Sequence, residues 1–236
     1  MRKIVVADYQ EASRVGAALI ARQIWDKPNS VLGLATGSTP VGLYKALISM
    51  HRSGALDFSK VTTFNLDEYH PIQKTNEQSY DAFMRQNLFD HVNIHTYHIP
   101  NGAAADPEAE CAAYEAAIAA AGGLDLQLLG IGLNGHIGFN EPAAELNAAT
   151  HRTDLTESTV KANARFFEDE SEVPRQALTM GVGTILRARK ILLLITGEAK
   201  RPIARKLFSG VVTTSAPATL LALHPDVTVV MDEAAV

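Results

Sequence analysis

The chain has 236 residues, 21 Lys and Arg against 26 Asp and Glu, and a formal net charge of −5 at pH 7. That balance argues against non-specific nucleic-acid binding through a net basic face, and no stretch approaches the roughly 18 apolar residues needed to span a bilayer. With 47% apolar and 20% charged residues and one cysteine, Cys111, a soluble cytoplasmic protein without disulfides is expected.

The first predicted strand is Lys3–Ala7. Its apolar run ends at Asp8, too short for the ~7–15 residues of a secretory core. Val15, Leu19, Ile20 and Ile24 follow as one apolar stripe at helical spacing. A second strand is predicted at Ser30–Ala35, and after it comes Thr36-Gly37-Ser38-Thr39-Pro40. Pro40 suits the first turn of a helix and Ser38 or Thr39 its cap. A Gly-Ser-Thr turn opening a helix offers free N–H groups and hydroxyls at the positive end of the dipole, which suits phosphate. No Gly-Lys-Ser/Thr follows, so this is not a Walker loop.

The third strand, Val61–Leu66, runs into Asp67-Glu68-Tyr69. Adjacent carboxylates at a strand end point to opposite sides, so only one faces a pocket. If buried, it has a raised pKa and can carry a proton; the bland alternative is a solvated acidic loop. His91, His95 and His98 have the spacing of helical metal ligands, but Val92-Asn93-Ile94 makes a poor helix interior, and no metal site is expected. Asp106 to Ala121 reads as an alanine-rich helix stopped by Gly122-Gly123.

After a strand at Leu126–Gly130 comes Gly130-Ile131-Gly132-Leu133-Asn134-Gly135-His136-Ile137-Gly138-Phe139-Asn140-Glu141-Pro142. The formal G-x-G-x-x-G in it does not read as a dinucleotide fingerprint. Gly138, Asn140 and Pro142 make a long turn where that motif needs a helix. The glycines let the backbone bend tightly and display Asn134, His136 and Glu141. A histidine with a nearby carboxylate forms an oriented acid–base pair. From about 147 to 173 the chain turns polar, as a lid or as a long surface connection. Strands are predicted again at Lys190–Thr196 and Val227–Met231. Arg165, in the polar stretch, and Lys200, just after Lys190–Thr196, are cations suited to complete a phosphate site. Runs such as Ile191-Leu192-Leu193-Leu194-Ile195 mark strands buried on both faces. The alternation of strands and helices predicts a single α/β domain over 1–236 with a doubly wound, mostly parallel open sheet.

Thr36–Pro40, Asn65–Tyr69 and Gly135–Pro142, in this order and spacing, resemble glucosamine-6-phosphate deaminases. So do Asn163–Phe167, Leu178–Gly183 and Gly197–Lys200. Members of that family convert D-glucosamine 6-phosphate and water into D-fructose 6-phosphate and ammonia, with no cofactor and no metal. The resemblance implies that His136, supported by Glu141, opens the sugar ring and that Asp67 moves the C2 proton to C1. It places Gly37, Ser38, Thr39, Arg165 and Lys200 at the phosphate, and Thr36 and Tyr80 beside the substrate and the base. Two departures stand out. Other members carry aspartate at the position of Asn134, and an amide can orient His136 but cannot accept its proton. The chain is also shorter than the hexameric members activated by N-acetylglucosamine 6-phosphate. His151 and Thr153 stand where those members place activator-site cations, so a monomer or small homo-oligomer without that activation is expected. The rival readings are a 6-phosphogluconolactonase, which needs no C2 proton carrier, and a non-catalytic sugar-phosphate sensor, which would need an attached DNA-binding unit.

Overall fold

In the computed structural model the described residues are 1–164, 167, 169 and 172–236. Ten strands and seven α-helices are assigned among them, in the order β1 (Arg2–Val6), α1 (Tyr9–Asp26), β2 (Val31–Leu34), α2 (Val41–Arg52), β3 (Thr62–Asn65), β4 (Asp67–His70), α3 (Tyr80–Asn87), β5 (Thr96–His98), α4 (Pro107–Ala120), β6 (Leu126–Leu129), β7 (His151–Asp154), α5 (Glu157–Asn163), β8 (Gln176–Thr179), α6 (Val182–Leu186), β9 (Ile191–Ile195), α7 (Arg201–Leu207) and β10 (Val227–Asp232).

Seven strands form one parallel sheet in the order β1-β10-β9-β6-β2-β3-β5. The expected parallel α/β architecture is therefore present. β2 and β9 are buried at every position, as their unbroken apolar runs demand. The helices start where side-chain caps allow. Asp8 accepts the Glu11 N–H and Asp106 accepts the Ala109 N–H, with Pro107 next in line.

Strand order reverses on either side of β2. The chain runs outward through β3 and β5, then returns to place β6 on the other flank. A crevice opens outside the carboxyl ends of β2 and β6 at such a reversal.

A second sheet, which the strand pattern did not predict, is also present. β4, β8 and β7 pair antiparallel in that order. Two expectations change as a result. Asp67 and Glu68 belong to strand β4, not to an acidic loop. The polar 147–173 segment carries strand β7 and helix α5, so part of it is regular structure. A second apolar cluster holds this sheet, with Tyr69, Phe139, Leu155, Val160 and Ala177 among its members. His91 closes a short 3-10 turn and His98 lies in β5, so those histidines share no helix face. No helix among the described residues is long and apolar enough to cross a membrane.

Candidate active site

Four neighbouring strands of the parallel sheet, β9-β6-β2-β3, deliver the sequence motifs to one crevice. β2 leads into 36–40, β3 into Asp67, β6 into 130–141, and β9 into Lys200.

Leu66 is the only residue between β3 and β4. Its N–H donates to Leu34 O at 2.9 Å, and its carbonyl accepts from Met180 N–H at 2.8 Å. Alternation along β4 then separates the two carboxylates. Glu68 turns to the start of α3 and accepts from the backbone N–H groups of Tyr69, Tyr80 and Asp81. Burial pushes Glu68 up to about 7 despite those three donors. Asp67 turns the other way. It pairs with Thr179 across β8, and Oδ2 comes within 3.6 Å of where a side chain on Gly138 would begin. Glycine is required there, since a Cβ would also meet Thr179 Oγ1 at 2.8 Å. Asp67 is 6% exposed. Burial, then the charge of Glu68, push its carboxyl up to about 8. Of the two acids, Asp67 is the one that turns toward the 130–141 loop.

The glycine-rich loop folds back on itself, with the Gly132 N–H donating to His136 O at 2.9 Å. The imidazole of His136 fills the space over Gly132, where an added Cβ would lie 2.3 Å from Cε1. Nδ1 lies 3.2 Å from Glu141 Oε1. With its proton on that side, Nε2 is left as the basic nitrogen. Asn134 contacts both partners. Its Nδ2 donates to Glu141 Oε2 at 2.6 Å, and its Oδ1 accepts the backbone N–H of His136 at 3.1 Å. Burial pushes Glu141 up, but the hydrogen bond and charge of His136, with the Thr159 hydroxyl and Asn134, outweigh it and hold the carboxyl at about 2. Asn140 anchors the loop from beneath, donating to Ile137 O and Met180 O.

At the 36–40 turn the expected cap is corrected. Pro40 occupies the N-cap position of α2, and no side chain caps the helix. The backbone arriving from β2 puts proline there, so the hydroxyls of Ser38 and Thr39 are not spent on capping. The turn is braced by Tyr9, a residue the sequence reading missed. Its hydroxyl donates to Ser38 O and accepts the Gly42 N–H. Lys200 Nζ donates to Ile131 O at 2.5 Å, and burial pushes its pKa down. Tyr80 packs against Tyr69 and lies parallel to Phe139. Arg165 lies outside the described residues. His151 and Thr153 are on β7 of the second sheet, where His151 lies opposite Thr179, with its Nδ1 3.0 Å from Ala149 O. No three His, Cys, Asp or Glu side chains converge as metal ligands among the described residues.

Residues 8–230 match the family model for glucosamine-6-phosphate isomerases and 6-phosphogluconolactonases. The chain is similar to the glucosamine-6-phosphate deaminase of Thermoanaerobacter pseudethanolicus, 53% identical over all of this chain and 94% of that protein. It is equally similar to the deaminase of Clostridium perfringens, at 53% identity over 99% of this chain and 97% of that one. Among solved structures, a monomeric glucosamine-6-phosphate deaminase superposes with a TM-score of 0.97 at 46% identity, covering 100% of this chain and 98% of that chain. The 6-phosphogluconolactonase of Trypanosoma brucei superposes at 0.78 with 19% identity, covering 99% of this chain and 97% of that one. This second likeness is of fold alone.

Proposed function

The chain belongs to the family of glucosamine-6-phosphate isomerases and 6-phosphogluconolactonases, and within it we propose that it acts as a glucosamine-6-phosphate deaminase. The reaction is D-glucosamine 6-phosphate plus water giving D-fructose 6-phosphate plus ammonia. The observation that carries this reading is the buried Asp67 set against Gly138, in the same loop that holds the His136–Glu141 pair. Lactone hydrolysis needs a base for water. An aldose–ketose shift also needs a group that moves a proton between adjacent carbons.

In the proposed sequence, His136 takes the proton of the C1 hydroxyl and returns it to the ring oxygen. The C1–O5 bond breaks and C1 becomes an aldehyde. Asp67 then removes the C2 proton and delivers it to C1. As the C2–H electrons form the C1–C2 double bond, a proton passes from the C2 ammonium to the C1 carbonyl oxygen to give an enolamine, and when Asp67 hands its proton to C1 the nitrogen lone pair makes C2 an iminium carbon. Water adds at C2, and the resulting carbinolamine loses ammonia to leave the ketone. Gly37, Ser38, Thr39, Arg165 and Lys200 hold the phosphate. That group carries about −1.5 to −2 charges at pH 7, which suits two cations, free hydroxyls and backbone N–H groups. Thr36 and Tyr80 line the substrate side of the same crevice.

The test is incubation with D-glucosamine 6-phosphate and simultaneous assay of ammonia and fructose 6-phosphate. Equal release of both supports the reading. Release of neither from a folded sample overturns it, and 6-phosphogluconolactone is then the substrate to try. The substrate curve is expected to be hyperbolic and unmoved by N-acetylglucosamine 6-phosphate, because positions 151 and 153 carry His and Thr. A sigmoidal curve relieved by that compound would contradict this.

Asn134 gives a further expected result. A carboxylate in its place would bring two oxygens of like charge to about the present 2.6 Å separation from Glu141 Oε2, so the two acids would have to share a proton. Asn134→Asp should stay active while its pH–rate profile gains an ionisation that the parent lacks. An unchanged profile would remove the idea that the amide acts as a permanently protonated partner.

A further inference from the structure

Helix α5 directs the hydroxyl of Thr159 at Glu141. Thr159 is 7% exposed, and its Oγ1 donates to Glu141 Oε1 at 2.6 Å. The same hydroxyl accepts from Thr156 Oγ1 at 3.0 Å. Thr156 is the N-cap of α5, and its oxygen in turn accepts the Thr159 N–H. With its acceptor side occupied from within the helix, the Thr159 proton is directed at the carboxylate.

The oxygen it meets is the one 3.2 Å from His136 Nδ1. The other carboxylate oxygen is taken by Asn134. Torsion about the last bond of a glutamate side chain is broad and roughly two-fold, so packing alone defines it weakly. Two short donors on opposite oxygens define it well. Asn134 belongs to the same loop as Glu141, whereas Thr159 comes from an element 18 residues further along the chain. Its hydroxyl also favours the ionised carboxylate, which steadies an imidazolium formed beside it.

We propose that Thr159 is a positioning residue: its hydroxyl fixes Glu141 Oε1 against His136, so the acid–base pair is complete only while α5 is seated on the loop. This rests on the assignment of His136 and Glu141 as the working pair. It adds that an element outside the motif controls that pair.

Thr159→Val keeps the branched shape and removes the hydroxyl. It is expected to lower kcat about tenfold, the scale of one lost hydrogen bond to a charged group, with KM within about twofold. Thr159→Ser restores the hydroxyl and should recover most of kcat. In the substrate-free protein, the His136 ring-proton resonances should move in Thr159→Val and return toward the parent position in Thr159→Ser. Thr159→Ala gives the same comparison if the valine variant does not fold. A serine variant as impaired as valine would show that Thr159 matters only for packing and would overturn the proposal. So would a valine variant with parental kcat, or unmoved His136 resonances. If the parent protein releases no ammonia, the functional assignment fails, while the resonances still decide whether Thr159 positions the pair.

Discussion

Asp67→Asn should lower kcat by at least about 10³-fold while KM for the sugar phosphate stays within about threefold, as loss of a general base without loss of binding contacts requires. The substitution is nearly isosteric and leaves the β4–β8 pairing in place. It removes only the ability to accept a proton. In the parent protein, burial and the charge of Glu68 push the Asp67 carboxyl up to about 8. The base works ionised, so kcat/KM of the free enzyme should rise with pH and level off only near that value.

Stability should move in the opposite direction. The unfolded chain releases this proton near the ordinary value of 3.8, whereas the folded protein keeps it to about 8. Across that window the folded state binds more protons. The contribution is therefore full below about pH 4 and is lost progressively as pH rises toward 8. Asparagine does not titrate, so the variant should melt above the parent at pH 8, and the gap should close toward pH 5. Melting curves across that range test this. A variant that keeps a tenth of the activity, or a gap that ignores pH, would remove Asp67 from the role proposed for it.

His136→Ala is the second large loss, about 10²–10³-fold in kcat, the scale of one general acid–base group. The ring lies over Gly132 with Glu141 beside it, so its removal leaves a ring-sized space with an acceptor already in position. Added imidazole should enter that space and restore part of the rate in a saturable way, and it should do nothing for Asp67→Asn. Failure of rescue in a folded sample, with loss as deep as that of Asp67→Asn, would argue that the ring holds the loop together and does not carry the proton.

Legibility in the sequence followed burial. β9 is apolar at five consecutive positions, and only a strand covered on both faces explains that pattern. Asp8 and Asp106 announced their helices because a cap is a local event. β7 reads His-Arg-Thr-Asp and alternates between half-buried and exposed. Its pairing partner lies more than twenty residues away, so no local signal marks it. The same holds for β4, whose carboxylates look like a loop until β8 is placed beside them. The motifs of the candidate site were legible because they cluster at strand ends. Thr159 was not, since in a polar stretch nothing marks a hydroxyl that turns inward. Tyr9 was missed for a related reason, because its partners Ser38 and Gly42 are some thirty residues away.

The single residue between β3 and β4 has a consequence for how this fold can diverge. Surface connections ordinarily absorb insertions and deletions over time. Here Leu66 is hydrogen-bonded to Leu34 in one sheet and to Met180, just past the end of β8 in the other, and the next two residues face opposite sides. Lengthening this junction by one residue would exchange the two carboxylates, sending Asp67 to the start of α3 and Glu68 into the crevice. This junction works by parity, so descendants of the fold that keep the proton carrier must keep its length.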